Sequence, residues 1–447
     1  MNKVKSNLKN KLYIGLLLAL GVIYFFFVGE IGYVMEADSL TFITMDLKNY
    51  RLYTGFLNVC ENIFGEILFL HIANIVQGVF AIIVSLVVTF YFARRYRLNK
   101  METLLIYIAT FLPYGYSLPQ SVATHHILTE GLSFSFFHLF CLVVVIVFLD
   151  KKIYMMLPAG LLLLLMIWTR SQLLLLVPVY IVIWIALGLC CIYKKISDKT
   201  KKIFWTCLIV LSILVCMLII PMMKLIIQKG FMPQFVEAMS GRVFCTIEES
   251  DIEYVDEQFQ GVCQYLYEKI DEKETREVYF RDGLRRWEDI LYSANENTKG
   301  VTNWINEYYS LGGEEESRPG QEINYLTAVL FERHLESYIE MTITLCIQSF
   351  VVSIFIHPDA IYTLCHIITL FIYLMTFLLV IISVQLKGKE EARIPLYLTG
   401  FMLIANVVIT NLFFFGQQRY VVYTFGFFYI SLFLLCRDIW MIRKEEQ

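Results

Sequence analysis

The chain has 447 residues, of which 58% are hydrophobic and 17% charged, and its formal net charge is −3. A soluble domain is usually about half apolar and about a quarter charged, so this composition indicates a membrane protein. The nearly balanced charge leaves no large basic domain to meet phosphate backbones, and it argues against nucleic acid as a partner.

The first apolar run, Leu12 to Val28, follows the lysine-rich stretch MNKVKSNLKNK. Such a beginning resembles a signal peptide, but the run is longer than a typical signal core and no small-x-small site follows it. We therefore expect a retained membrane anchor.

Apolar runs long enough to cross a bilayer, about 20 residues each, recur along the chain. The expected spans are 11–28, 67–92, 101–116, 131–149, 153–168, 173–193, 203–223, 360–386, 394–415 and 418–436. Basic clusters between them satisfy the positive-inside rule when the crossings alternate and both ends are cytoplasmic. The predicted fold class is an all-α polytopic membrane protein with about ten transmembrane helices.

One further run, Tyr338 to Ile356, would place the late basic clusters outside if it crossed the membrane. It carries several polar residues and ends at a proline, so we interpret it as a helix in the outer interface. Eleven crossings are the alternative. The predicted domains are an N-terminal transmembrane module (1–223), an extracytoplasmic domain (224–337), an interfacial helix (338–357) and a C-terminal transmembrane module (358–447).

The segment from Lys224 to Ser337 is charged and tyrosine-rich, and it shows helical periodicity over 252–269 and 275–293. Its length of about 110 residues suits a small, mainly helical domain with its own core. Cys245 and Cys263 could form a disulfide there if the domain is extracytoplasmic.

The first outer loop contains the sequence YVMEADSLTF, with Glu36 and Asp38 between apolar neighbours. A loop lying on a bilayer needs no such carboxylate pair, so these acids are candidates for chemistry. The alternative is that Asp38 caps a short helix beginning near Leu40.

The second outer loop contains His125, His126 and Glu130, with Glu130 at the start of a span. Adjacent histidines cannot both face one point on a helix, and no HExxH or other ligand spacing occurs, so no metal site is predicted. Glu130 is either a functional acid or a compensating charge for the helix dipole.

Two isolated arginines, Arg170 and Arg419, lie at outer turns between apolar spans. Arg170 could extend its head group to the interface without any function. The alternative is a phosphate partner, because the guanidinium fork matches phosphate oxygens. Carboxylates and arginines on one membrane face suit transfer of a sugar from a lipid phosphate: a carboxylate takes the acceptor's proton while arginines stabilise the departing phosphate.

The pattern resembles the GT-C superfamily of integral membrane glycosyltransferases, which use polyprenyl-phosphate-linked sugars. Asp38-Ser39 with Phe42 matches the family's first-loop acidic motif, and Thr129-Glu130-Gly131-Leu132 matches an element that opens a later span. Arg170 through Pro178 and Arg419-Tyr420 match two further elements. The similarity in layout covers residues from about 11 to 436.

This resemblance implies an inverting glycosyltransferase with Asp38 as general base and Glu36 or Glu130 as a supporting acid. Arg170, Arg419, Tyr420, His125 and His126 are the implied substrate-binding residues, and the cell membrane is the implied location, with the site on its extracytoplasmic face. The partners would be a polyprenyl-phosphate sugar, membrane lipid, and a glycan, lipid or protein acceptor.

The chain also departs from the family pattern. A DxD element and a WWD-type sequon reader are absent, which favours transfer of a single sugar without an essential metal or other cofactor. The stretch Glu36-Ala37-Asp38 could still bind a divalent cation.

Three alternatives stay open. A polysaccharide polymerase or ligase would use Arg242 and Arg285-Arg286 of the outer domain. A lipid-linked-sugar flippase or transporter would need polar groups at mid-membrane, where His71, Asn74 and Gln77 instead suit an interhelical hydrogen-bonding face. A partner subunit without catalytic activity is the third.

Overall fold

The structure is a computed structural model. It describes residues 2–29, 32–36, 38–44, 51–116, 121–170, 173, 176–193, 202, 204–206, 208–210, 234–272, 303–310, 319–355, 362–413 and 418–446. Within these ranges the chain is helical, and its only extended pairings are two isolated β-bridges. The prediction of an all-α membrane protein is confirmed.

The helices are numbered here in chain order. They are α1 (Asn2–Phe27), α2 (Ser39–Ile43), α3 (Arg51–Arg95), α4 (Lys100–Ala109), α5 (Glu130–Leu149), α6 (Met156–Thr169), α7 (Leu176–Tyr193), α8 (Gln234–Phe244), α9 (Glu249–Ile252), α10 (Glu257–Glu272), α11 (Pro319–Arg333), α12 (Leu335–Val352), α13 (Tyr362–Gln385), α14 (Glu390–Phe413), α15 (Gln418–Val421) and α16 (Phe425–Glu446). Short 3₁₀ turns occupy Leu112–Gly115, Ile153–Met155 and Val422–Thr424.

The chain divides into two compact units. The first unit comprises Met1–Leu211, Ser353–Ala405 and Val422–Gln447, and the second comprises Ser212–Val352 and Asn406–Val421.

Helix α5 is the central helix of the first unit. Its sequence is apolar on all sides, as expected for a helix enclosed by protein rather than one with a polar face. Of the 18 most apolar consecutive residues of α5, 78% are buried, compared with 17% for α13. Helix α13 therefore presents an apolar surface suited to lipid. Helix α5 packs against α3 and α6, so its first residue, Glu130, begins inside the helical bundle.

Helix α3 is interrupted at Gly65, where φ is 78° and ψ is 165°. Glycine accepts this positive φ readily because it has no Cβ. The break separates a first segment, 51–64, from the segment that contains the expected span 67–92. The first segment carries Tyr53 into an apolar cluster with Phe42 of α2 and Leu132 of α5.

The expected count of about ten spans is wrong for the part of the chain described. Six helices are long and apolar enough to cross a membrane: Leu52–Arg95, Glu130–Leu149, Leu335–Val352, Leu364–Gln385, Glu390–Leu412 and Gln418–Glu445. Three further apolar helices are shorter: Lys11–Phe27, Ile153–Thr169 and Leu176–Leu189.

The difference has a geometric cause. The run at 101–116 forms only the ten-residue helix α4, because a 3₁₀ turn containing Pro113 follows it. The fourteen residues of α6 rise about 21 Å, which is less than the roughly 30 Å of a hydrocarbon core. Most of 203–223 lies outside the described residues. Helix α12, expected in the interface, is long enough to cross.

Charged residues gather at one end of the first unit. Arg95, at the end of α3, contacts Asp150 at 3.3 Å and Glu391 at 2.9 Å. Glu102, seven residues after Arg95, accepts a hydrogen bond from Arg437 Nε at 2.8 Å. Helix α5 ends here, so the loop before it lies at the opposite end, together with the part of the first loop that is hydrogen-bonded to it. The predicted cytoplasmic clusters therefore meet, while the membrane side that they face stays a prediction.

The second unit has a helical core formed by α8, α10, α11 and the start of α12, together with helical residues 303–310. Asp251 is fully buried in it. Its Oδ1 lies 2.6 Å from Arg333 Nε in an ion pair, and its Oδ2 is hydrogen-bonded to His334 Nε2 at 2.7 Å. Cys245 and Cys263 are buried in the same core as free thiols, so the disulfide considered from the sequence is not formed.

Candidate functional site

The two loops that carry the predicted acids and histidines are joined by backbone hydrogen bonds. Val34 N donates to His125 O at 2.8 Å, and Ile127 N donates to Val34 O at 3.0 Å. A second bridge pairs Gly29 with Ser121. These contacts fix the register of the first loop, and with it the acidic motif, against the start of α5.

Two polar side chains of helix α3 hold both loops in place. Asn74 Nδ2 donates to Gly32 O at 2.8 Å, and Gln77 Nε2 donates to Thr124 O at 3.2 Å. The sequence suggested that these residues hydrogen-bond between helices. The side-chain amides of Asn74 and Gln77 donate to loop carbonyls instead, so the two residues support the candidate site.

The two adjacent histidines have different partners, and both are buried. His125 Nε2 bonds to Phe25 O, near the end of α1, at 2.8 Å. His126 Nδ1 lies 2.8 Å from Glu36 Oε1, and its Nε2 lies 2.5 Å from Ser121 Oγ. His125 thus ties α1 to the second loop, while His126 ties Glu36 of the first loop to Ser121 of the second.

The protonation state of His126 follows from its surroundings. Burial lowers its pKa, and this effect outweighs the nearby Glu36 carboxylate, which raises it. The contact with Glu36 is therefore a hydrogen bond from a neutral imidazole rather than a salt bridge at neutral pH. Because Nδ1–H donates to the carboxylate, Nε2 carries the lone pair and accepts a hydrogen bond from the Ser121 hydroxyl.

Asp38 occupies the position before α2 that a capping residue would take. Its backbone is α-helical, with φ −74° and ψ −17°, and its side chain makes no capping hydrogen bond. Ser39 Oγ instead accepts from Glu36 N at 2.8 Å. The Asp38 side chain is exposed, so the capping alternative from the sequence has no support in this geometry.

Glu130 and Arg170 form a buried ion pair between the start of α5 and the end of α6. Thr129 Oγ1 donates to Glu130 Oε2 at 3.1 Å. The sequence placed the two residues on one side of the membrane, and the structure joins them directly. Arg170 does not extend toward an interface, because it is 6% exposed and its guanidinium meets a carboxylate.

Two tyrosines that the sequence did not single out adjoin this pair. Tyr423 Oη lies 2.9 Å from Ser133 Oγ and interacts with the charges of Arg170 and Glu130. Tyr53 also interacts with the Glu130 charge, and its ring contacts Phe42 edge-to-face at 5.3 Å. The motif-bearing helix α2 is thereby connected to Glu130 through two aromatic rings. The Arg419-Tyr420 motif did not point to Tyr423, because Tyr423 lies three residues beyond that motif.

Arg419 and Tyr420 belong to the second unit, in the short helix α15. Arg419 Nη2 donates to Tyr420 Oη at 3.0 Å, and its guanidinium lies 5.0 Å from the centre of that ring. Stacking of this kind holds the planar guanidinium against the aromatic ring.

Arg242, the residue on which the polymerase alternative depends, is almost fully buried. Its Nη2 donates to Tyr338 Oη at 2.8 Å and to Leu412 O at 2.7 Å, and Nη1 donates to Asn411 O at 2.5 Å. A cation at the last carbonyls of α14 is a stabilising structural contact. Arg285 and Arg286 lie outside the described residues.

Among the residues that the structure describes, no group of three or more His, Cys, Asp or Glu side chains is arranged to hold a metal ion. No protein-family model, curated protein or solved structure matches this chain.

Proposed function

We propose that this chain is an inverting membrane glycosyltransferase that moves a single sugar from a polyprenyl-phosphate donor to an acceptor hydroxyl. The reaction takes place on the extracytoplasmic face of the cell membrane, at the end of the first unit where the two loops pair. The acceptor is a glycan, a lipid or a protein.

The observation that carries the proposal is the state of Asp38. It is an exposed carboxylate without a capping bond, on a loop held in register by Val34, and it precedes a helix packed into the apolar end of the first unit. An acid that only capped α2 would bond to a free N–H of its first turn. Its exposed position leaves the Asp38 carboxylate within reach of a substrate.

In the proposed reaction, Asp38 accepts the proton of the acceptor hydroxyl as that oxygen attacks the anomeric carbon. The bond between the anomeric carbon and the phosphate oxygen breaks, and polyprenyl phosphate leaves with its electron pair. Glu36, held through one oxygen by His126, keeps the first loop in place and contributes negative charge beside the anomeric centre.

The departing phosphate needs positive charge. Arg170 supplies it from the first unit, where Glu130 is its partner before donor binding. A phosphate dianion competes for the same guanidinium donors, since carboxylate and phosphate both fit the fork. Arg419, which stacks on Tyr420 in the second unit, is proposed to bind the donor because the resemblance implies that role.

Two variants of Asp38 test the proposal in membranes supplied with a panel of polyprenyl-phosphate monosaccharides. The release of polyprenyl phosphate is common to every sugar and is the quantity measured. Asp38→Asn keeps the size of the side chain but cannot accept the proton, so release should fall by a factor of about 10² to 10⁴.

Thermal stability separates this proposal from a capping role. Asn is as good a helix cap as Asp, so a capping role predicts an active Asp38→Asn protein and a destabilised Asp38→Ala protein. The proposal predicts that both variants unfold at the parent temperature and that both are inactive. An Asp38→Asn protein with parental turnover would contradict the proposed role.

A further inference from the structure

Ser121 has no part in the glycosyl transfer proposed above. It belongs, however, to a series of three hydrogen-bonded side chains. Its Oγ lies 2.5 Å from His126 Nε2, and His126 Nδ1 lies 2.8 Å from Glu36 Oε1. These three residues come from two separate loops. A hydroxyl, an imidazole and a carboxylate in this order are the arrangement by which enzymes activate a serine.

The hydrogen bonds in this series have the polarity that activation requires. Glu36 can only accept from His126 when ionised, which fixes the proton on Nδ1 and leaves the Nε2 lone pair toward Ser121. The carboxylate thus orients the ring and selects its tautomer, and the ring is placed to remove the serine proton.

The backbone restrains all three members. Val34 N donates to His125 O, Ile127 N donates to Val34 O, and Gly29 pairs with Ser121, so the loops flanking each residue are bonded to each other. His125 is bonded to Phe25 O, which limits the freedom of its neighbour His126. A catalytic group works best when its surroundings hold it in one geometry.

We propose that Ser121, His126 and Glu36 form a nucleophilic relay that gives this chain an acyl-transfer activity on carboxylic esters of lipids. Ser121 Oγ attacks the ester carbonyl carbon, and its proton passes to His126 Nε2. The tetrahedral intermediate collapses, the alcohol leaves with the proton from His126, and the acyl group remains on Ser121. A water molecule, deprotonated by His126, then attacks this acyl-serine, which releases the carboxylic acid and returns the proton to Ser121.

The surroundings of Ser121 indicate a lipid ester as the substrate. Gly29, the residue paired with Ser121, lies two residues after the apolar helix α1. A water-soluble ester would have to leave bulk water for this apolar end of the helix, whereas a lipid ester already partitions there.

The test uses the full-length chain in lipid nanodiscs and a long-chain alkyl fluorophosphonate. This probe phosphonylates an activated serine: the Ser121 oxygen–phosphorus bond forms, fluoride leaves, and the serine proton goes to His126. Peptide mass spectrometry of the unaltered chain should place the adduct on Ser121. Because this measurement needs no variant, it does not depend on whether a substituted protein folds.

Variants then assign the roles. His126→Ala should slow labelling by a factor of about 10² or more, since the general base is lost. The matched control is Ser135→Ala: Ser135 is equally buried in the first unit, but its hydroxyl bonds to Tyr114 Oη at 2.7 Å instead of a histidine. Labelling of Ser135→Ala should equal that of the parent.

Three results would overturn the inference: no adduct on Ser121, an adduct on another serine, or labelling that His126→Ala leaves unchanged. The inference does not rest on the proposed glycosyl transfer. Labelling of Ser121 in a protein that releases no polyprenyl phosphate would support the relay and remove the transferase, and the converse result would do the opposite.

Discussion

Arg170 and Glu130 form an ion pair inside the first unit, and their side chains are only 8% and 2% exposed. Such a pair gains little over a well-packed apolar replacement, because both charges have left water. Removing only one partner of the pair is costly, because the remaining charge stays buried without a compensating charge. The pair is therefore sensitive to single changes, and it joins the start of α5 to the end of α6.

A double-mutant cycle measures this dependence. Arg170→Leu or Glu130→Leu alone should lower the free energy of unfolding by about 3–5 kcal/mol. The double variant should lose clearly less than the sum of the two single losses. Thermal unfolding in nanodiscs gives the three differences.

The matched control for this cycle is Glu391→Ala. Its pair with Arg95 is more exposed, at 54% and 29%, and Arg95 retains Asp150. We expect a change of about 0–1 kcal/mol there. Additive losses at Glu130 and Arg170 would mean that the two charges do not depend on each other.

The stability of the protein should depend on pH through His126. Its pKa is lowered in the folded state by burial, against the opposing effect of Glu36, so the unfolded chain binds the proton first. The contribution of neutral His126 to the free energy of unfolding is therefore complete above the pKa of the unfolded chain, about 6.5, and is lost as the pH falls below that pKa. The unfolding temperature should fall between pH 7.5 and pH 5.5, and His126→Gln should make this dependence less steep. An unchanged slope in His126→Gln would show that His126 does not titrate on unfolding.

Gly131 is required by the close approach of Gln77. A Cβ at Gly131 would collide with the side-chain oxygen of Gln77, whose amide nitrogen bonds to Thr124 O. Gly131→Ala should therefore destabilise the protein by about 1–3 kcal/mol, although alanine is the better helix former. Gly400→Ala is the control, because no atom lies within 4 Å of its added Cβ, and it should be neutral or stabilising by about 1 kcal/mol or less. Equal stability of the two variants would mean that Gln77 moves aside without loss.

Arg419 should be needed for turnover but not for folding. Arg419→Lys keeps the charge and loses both the planar fork and its stacking on Tyr420. We expect polyprenyl phosphate release to fall at least about tenfold, with the unfolding temperature unchanged. Tyr420→Phe keeps the ring but removes the 3.0 Å hydrogen bond, so its loss should be smaller. Parental turnover in both Arg419→Lys and Arg419→Ala would exclude this arginine from donor binding.

The sidedness of the membrane can be measured with introduced cysteines. Gly300→Cys should react with an impermeant maleimide in intact cells, because 224–337 is predicted to be extracytoplasmic. Lys151→Cys, next to Asp150 in the charged end of the first unit, should react only after permeabilisation. The reverse pattern would invert the predicted topology and would place the loop of Asp38 in the cytoplasm.

The sequence by itself determined the class of protein and the positions of its unusual residues. Runs of leucine, valine and phenylalanine predict apolar helices because no water is present in the bilayer to bond an open backbone. A charge within such runs is expensive to keep, which is why Glu130 and Arg170 could be recognised without a structure. The sequence could not set the number of spans, because the length of a helix depends on local breaks such as Pro113 and Gly65.

Only the tertiary structure decided which polar groups are partners. The pairing of Val34 with residues on either side of His126 sets a register between loops about 90 residues apart, and no local pattern encodes it. The relay from Ser121 to Glu36 and the pair of Glu130 with Arg170 both follow from that register and from the packing of α5 on α6. Buried polar atoms must find partners wherever folding brings them, so their chemistry depends on contacts distant in sequence.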